Sequence, residues 1–270
     1  VWTSYDPLGV YLYNLKDKSV KIIRNKLTSP AKIYGNRVVW SELIDNKDGD
    51  IYMYTISTGE VKKVTSNDGK EWAPNIYKNN VIWFDRRNTN ADDSLLLGDI
   101  YMKDLSTGIE KRLTPEPSVR DNNRGYGIYG NYIIWVNIND QQVYAYDLST
   151  SKTIKITEDT SIVRDPSIYE SKIIWSQVSA DNSFDIWSYD IITGEKDVLV
   201  DSSSNLVYPM MYKDNLIWID DRTVQTSGNE QLFLYNLLSQ EEKQITGLDI
   251  TDNPNLYPNS KVIGGYDFVN

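Results

Sequence analysis

Six copies of one short unit constrain this chain more than any other feature. The residues DIYMYTI, Asp50 to Ile56, run into the turn STGE, and counterparts stand at GVYLYNL (9–15), DIYMKDL (99–105), QVYAYDL (142–148), DIWSYDI (185–191) and QLFLYNL (231–237). The third position is aromatic every time, as Tyr11, Tyr52, Tyr101, Tyr144, Trp187 and Phe233. Successive aromatics lie 41, 49, 43, 43 and 46 residues apart, a mean of about 44 ((233 − 11)/5), which is the period of a four-stranded propeller blade. A unit that cannot bury both its faces alone must stack on its neighbours. The repeat therefore predicts one all-β domain over residues 1–270, a six-bladed propeller of four-stranded antiparallel blades, with no place assigned to the tail 260–270.

Each repeat reads as four strands. The first ends in a tyrosine, at Tyr34, Tyr77, Tyr129, Tyr169, Tyr212 and Tyr257, and proline stands three residues earlier in four copies: Pro74, Pro166, Pro209 and Pro254. Proline cannot donate to a ladder, so this strand is expected at a free edge, innermost in its blade. A Gly- or Asn-rich turn follows, as at Gly35-Asn36 and Gly130-Asn131, suited to a tight hairpin.

The second strand is apolar and ends in tryptophan at Trp40, Trp83, Trp135, Trp175 and Trp218, with Trp2 as the first member. A β-branched run without polar alternation fits a strand covered on both faces. Burial of a tryptophan at each equivalent place contributes on the order of several kcal/mol by area, so core packing is the expected role of all six. Two residues on comes a polar group each time: Ser4, Glu42, Asp85, Asn137, Gln177 and Asp220. Local hydrogen bonding is the favoured role for this ring, over a binding face. The third strand is the aromatic unit itself, and the fourth (SVKIIR, EVKKVT, EKRLT, TIKIT, EKDVLV, EKQIT) mixes charge with apolar residues as an outer strand does.

The chain has neither cysteine nor histidine. This removes disulfides, thiol nucleophiles, the commonest metal ligand and the commonest general base. A net charge of −10 opposes nucleic acid and anionic membrane surfaces as partners, and no apolar run is long enough for a spanning helix. Val1-Trp2 matches Val39-Trp40 in mid-repeat, so the chain is expected to be a piece of a longer precursor whose export signal lies elsewhere. On the same ground, the innermost strand of the first blade is expected to come from Asp252 to Tyr257, closing the ring.

The order Pro-x-Ile-Tyr, turn, Val-Ile-Trp-x-Asp-x-Arg, Asp-Ile-Tyr-x-Tyr-Asp-Leu-Ser-Thr-Gly, Leu-Thr resembles the TolB-like propeller repeat, most fully at 72–114 and 207–246. It departs from the family in that the Asp-x-Arg element is intact only at Asp85 with Arg87 and Asp220 with Arg222, and these pairs are expected to be structural. The resemblance implies the propeller fold and an extracellular, cell-surface or periplasmic setting. It includes a periplasmic protein that binds partner peptides at the propeller face.

Long connections at 41–50, 85–99, 114–125, 176–185 and 220–230 are expected on one face, which makes that face the candidate functional surface. Glu71, Trp72, Arg120, Asp121, Arg124, Tyr126, Arg164, Asp165, Tyr208 and Asp252 are placed near its central mouth as ligand-binding residues. Trp72, Tyr126 and Tyr208 would stack on a polysaccharide or an extended peptide, with Arg and Asp as anchors. A glycosidase is the alternative, drawing its acids from Glu71, Asp165 and Asp252. No cofactor is required; calcium is considered at Asp45, Asp48 and Asp50 or at Asp92-Asp93, although neither group has EF-hand spacing and an Asp-Gly turn explains the first. The favoured reading is a monomeric binding module that does not catalyse.

Overall fold

The computed structural model describes residues 1–44, 47–66, 71–89, 97–120, 125–158, 161–222 and 230–246, with the side chains of 43, 44, 47, 48 and 120 left aside. The described residues fall into two compact units, one within residues 1–123 and one within residues 124–263. Both consist of strands and turns alone among these residues.

In the first unit, β1 (Trp2–Tyr5), β2 (Leu8–Tyr13) and β3 (Val20–Arg24) form a three-stranded antiparallel sheet. Next come β4 (Lys32–Tyr34), β5 (Arg37–Ile44), β6 (Lys47–Thr55) and β7 (Glu60–Lys63), paired in sequence order. The third group is β8 (Glu71–Tyr77), β9 (Asn80–Asp85), β10 (Leu97–Asp104) and β11 (Glu110–Arg112), with β12 (Val119–Arg120) added to the start of β10. One pair, Gly49 with Glu71, joins the second and third groups into a nine-stranded sheet.

The second unit holds three four-stranded sheets, each in simple sequence order. They are β13 (Tyr126–Tyr129), β14 (Tyr132–Asn137), β15 (Gln142–Asp147) and β16 (Lys152–Lys155); β17 (Val163–Tyr169), β18 (Lys172–Val178), β19 (Phe184–Asp190) and β20 (Lys196–Val200); and β21 (Leu206–Tyr212), β22 (Asn215–Asp220), β23 (Gln231–Asn236) and β24 (Glu241–Gln244). The four-strand reading of the repeat holds in these sheets, and the expected closing strand 252–257 lies outside the described residues.

Packing inside each unit follows one rule. The tryptophan side of a sheet meets the opposite side of the sheet before it: Val10 meets Trp40 and Tyr54; Val39 and Ile51 meet Trp83 and Tyr101; Ile134 and Val143 meet Trp175; Ile174 and Ile186 meet Trp218 and Phe233. Trp40, Trp83, Trp175 and Trp218 are accordingly buried; Trp135 is buried as well, whereas Trp2 is 41% exposed. That corrects the expectation of six equivalent core positions. Among the described residues no sheet precedes β1–β3 in its unit, and Trp2 stacks on Tyr11 with centroids 5.2 Å apart.

The tyrosines that end the first strands touch in succession. Tyr34 meets Tyr77 in one unit; Tyr129 meets Tyr169, and Tyr169 meets Tyr212, in the other, at 4.8 to 5.2 Å between centroids. The other end of each sheet, where the second strand passes to the third, is the loop end, and the candidate residues lie there.

Candidate functional site

At the loop end the tryptophans explain the polar residues two positions on. Alternate residues of a strand share a side. The indole N–H of Trp40 donates to Glu42 at 3.3 Å, Trp83 to Asp85 at 2.9 Å, Trp175 to Gln177 at 2.9 Å and Trp218 to Asp220 at 3.2 Å. A buried indole needs an acceptor, and this ring supplies it. In these four sheets the polar group therefore acts within the sheet.

Glu42 and Asp220 are held as anions. Burial pushes the Asp220 carboxyl up, but hydrogen bonds from Arg222, Ser204 and Trp218 outweigh it and hold the group below its ordinary range. Glu42 follows the same logic: burial opposes ionisation, and Arg24, Trp40 and Lys26 overcome it. Arg222 donates to Asp220 with its backbone N–H and Nε, at 2.8 and 2.6 Å, and reaches Glu242 with Nη1 at 2.7 Å. Cations also lie over the aromatic of the third strand, Arg87 at 4.1 Å from the centroid of Tyr101, Arg222 at 4.3 Å from Phe233 and Lys196 at 4.8 Å from Trp187.

A second recurrent device was not recognised in the sequence, although its signature, the Thr that closes VT, LT and IT, is visible there. The Oγ1 of Thr65, Thr114, Thr157 and Thr246 accepts the backbone N–H of Ile51, Ile100, Val143 and Leu232, at 2.8 to 3.3 Å. Thr114 and Thr246 in turn donate to Asp99 and Gln231, at 2.8 and 2.9 Å. The threonine ties the fourth strand to the start of the third.

The first strands carry the feature that sets this end apart. Ala73, Asp165 and Tyr208 each precede a proline and each has left-handed φ, at 49°, 53° and 56°. All three sit in register shifts, between Trp72 and Asn75, Arg164 and Ser167, and Val207 and Met210. Such a bulge turns the strand and re-aims its side chains, and bulges concentrate beside functional sites.

The candidate residues distribute around these bulges unevenly. Trp72 and Tyr208 are half-buried, and Arg164 and Asp165 share one bulge. Glu71 is buried opposite Asp85, its carboxylate 3.6 Å from Arg87 Nη2, so it lies beneath the surface. Tyr126 corrects the expectation of a stacking platform: it pairs with Trp135 at the start of β13 and is 7% exposed. Arg120 ends β12, opposite Leu97, and Asp121, Arg124 and Asp252 lie outside the described residues. Of the calcium candidates, Asp50 is buried in an ion pair with Lys63 at 2.7 Å; Asp45, Asp92 and Asp93, and the side chain of Asp48, also lie outside. Among the described residues no three acidic side chains are grouped as a metal would require.

Two long connections are shorter than expected. β5 and β6 stay paired as far as Ile44 with Lys47. Between β18 and β19 the turn is closed by Asp181, which accepts from the Ser183 hydroxyl and N–H and from Ser179; these bonds lower its carboxyl to about 2. Asp185, which follows this turn, is an acid that sequence reasoning passed over. Burial raises its carboxyl, and the neighbouring Asp201 and Asp181 add to the shift against one N–H donated by Ser202.

No protein-family model matches the chain, and no curated protein matches it in sequence. Solved structures do resemble it. TolB from Acinetobacter baumannii superposes with a TM-score of 0.60 at 16% identity over 86% of this chain, which spans 58% of the length of that protein. A putative TolB from Agrobacterium tumefaciens gives 0.61 at 11% identity, covering 86% of each chain. An oligogalacturonate lyase in complex with manganese gives 0.60 at 12% identity, covering 88% of this chain and 70% of the other. At these identities the likeness is one of fold. The chain has a TolB-like β-propeller fold.

Proposed function

We propose that this chain is a binding module of an exported or cell-surface protein, recognising a polymeric ligand, glycan or extended peptide, at its loop end without transforming it. The observation that carries the reading is the left-handed bulge repeated at Ala73, Asp165 and Tyr208. On the neighbouring first strands β17 and β21 it brings Arg164, Asp165 and Tyr208 to equivalent positions, a mixture of cation, acid and aromatic suited to a polar chain, and in the other unit it holds Trp72 at the same point of β8. The ion-paired acids support binding over proton transfer, since Glu42 and Asp220 are held ionised.

The fold proposed for this module is a monomeric six-bladed ring in which Asp252 to Tyr257 supplies the innermost strand beside β1. The exposed Trp2 side of β1–β3 supports closure, because the tryptophan sides of Trp40, Trp83, Trp175 and Trp218 are each covered by a preceding sheet. Removal of residues 250–270 should lower the melting temperature sharply; an unchanged curve contradicts closure by this segment.

A glycan and peptide array probed with and without calcium tests the function. Saturable binding weakened by Trp72→Ala supports it, and the absence of any polymer binding rejects it. The raised Asp185 carboxyl favours one second reading, a carboxylate-based enzyme acting on sugars. Polysaccharide turnover abolished by Asp185→Asn, Asp165→Asn or Asp252→Asn, with the fold kept, would establish that reading instead.

A further inference from the structure

We infer that Arg164 and Ser176 form a receptor for a single carboxylate presented by an extended peptide, an inference that rests on the loop-end binding reading above. Arg164 and Ser176 stand directly opposite each other in the pairing of β17 with β18, so their side chains leave the same side of the sheet. Phe184 is on that side too, because it pairs with Val178, two residues beyond Ser176. The Arg164 guanidinium carbon lies 3.5 Å from the Phe184 centroid. This stack fixes the plane of the guanidinium and covers one face, leaving the N–H edge to recognise something.

The Arg164 Nε has no hydrogen-bond partner among the described residues. The nearest carboxylate, Asp165, is 3.8 Å from Nε, beyond hydrogen-bonding distance. Nε is nevertheless buried, and the hydroxyl of the fully buried Ser176 also lacks a partner among the described residues. Two buried donors on one side of a sheet, each without an acceptor, call for a group with two acceptor oxygens. A planar carboxylate meets that need, one oxygen on the guanidinium fork and one within reach of a hydroxyl donor.

Charge selects what carries the carboxylate. The chain bears a net −10, and Asp165 and Asp185 are close in sequence and register to the receptor, so a polymer with an anion on every unit is repelled. An isolated acid on a neutral peptide largely avoids that penalty. β17 is also the first strand of its sheet and, among the described residues, pairs on one side only, leaving an edge that an extended main chain can follow on either side of Pro166.

The test is an NMR titration of the ¹⁵N-labelled chain with N-acetylglutamate N-methylamide, its glutamine counterpart, methyl glucuronide and sodium chloride. The expected result is a saturating shift of Arg164 Nε–Hε and of the Ser176 amide with the glutamate probe, absent with glutamine and salt. Arg164→Gln should abolish saturation and Ser176→Ala should weaken it by about three- to tenfold, with the tryptophan indole resonances unmoved. Shifts that stay linear, or that glutamine or salt reproduce, overturn the receptor. Tighter binding of the glucuronide overturns the assignment to peptide. Glutamate binding in a protein that fails on every polymer array removes the polymer reading alone, whereas polymer binding indifferent to Arg164→Gln removes this inference alone.

Discussion

Arg87 folds back onto Asp85: its backbone N–H donates to one carboxylate oxygen at 2.9 Å, and its Nε and Nη2 donate to the other at 2.9 and 2.5 Å. Nη1 meanwhile reaches Glu110 on the outer strand at 2.9 Å, so one side chain ties the end of β9 to β11. Asp85 is fully buried and also accepts from the indole of Trp83.

Arg87→Ala leaves that buried carboxylate without its cation, which costs about 3 kcal/mol. Hydrogen exchange should quicken at residues 86–89 and 97–99, while affinity for any loop-end ligand changes by no more than about threefold, under 1 kcal/mol. Loss of ligand binding with unaltered exchange would make Arg87 a contact residue.

Trp2 is the second-strand tryptophan on which closure of the ring can be read. Trp40→Ala, at a fully buried site against Val10 and Val38, is expected to cost about 4 kcal/mol in chemical denaturation. With residues 250–270 removed, Trp2→Ala should cost only about 1–2 kcal/mol, since its ring is then 41% exposed and stacked on Tyr11, whereas in the full chain a closed ring brings its cost up to that of Trp40→Ala. Equal costs in the full chain would mean that Trp2 is covered in solution as the others are.

The threonine that closes the fourth strand is open to a near-isosteric test. Thr157→Val keeps the volume but removes the oxygen that accepts the Val143 N–H at 2.9 Å, in a residue 1% exposed. A loss of about 1–2 kcal/mol is expected, together with faster exchange of the Val143 amide. A neutral effect would show that the clamp contributes nothing net.

The sequence carried the sheets because period, aromatic position and tryptophan position are local signals repeated in register. The Asp85–Arg87 and Asp220–Arg222 pairs were legible for the same reason, as residues two apart on one strand share a side. The site was less legible. Tyr126 looks like its polar-flanked neighbours in sequence, but its pairing with Trp135 turns it into the core. The bulges were hidden because a residue before proline ordinarily avoids helical φ/ψ, and nothing in Ala73, Asp165 or Tyr208 announces a left-handed backbone. Asp185 was overlooked because its Asp-Ile-Trp context repeats that of Asp50 and Asp99, which are paired with Lys63 and Arg112.

Acid sensitivity should come from the depressed carboxyls. Asp220 and Glu42 are held below their ordinary values of 3.8 and 4.5, so below those values the unfolded chain binds more protons than the folded one. Their contribution is complete above that range and is lost as pH falls through the folded values. Asp185 acts in the opposite sense: its raised carboxyl costs stability once pH passes the ordinary 3.8. Thermal melts should therefore fall steeply below about pH 4, Asp220→Asn should flatten that fall, and Asp185→Asn should raise the melting temperature at pH 7. A pH profile unchanged by Asp220→Asn would contradict the assignment.

The final prediction separates strain from ordinary turn geometry. Ala73 holds φ at 49° immediately before Pro74, a conformation that costs a residue with a Cβ about 1 kcal/mol or more and that glycine adopts freely. Ala73→Gly removes one methyl from a nearly buried site, and it also gives the unfolded chain more freedom, worth about 0.5–1 kcal/mol against the variant. Relief of strain at this φ should outweigh both terms slightly, so the variant is expected to melt at the same temperature or a few degrees higher. If the bulge serves to aim Trp72, the same variant should bind a polymeric ligand more weakly despite its stability, because glycine no longer holds the turn. A clear loss of stability with binding intact would mean that the left-handed turn at Ala73 is unstrained and plays no part in recognition.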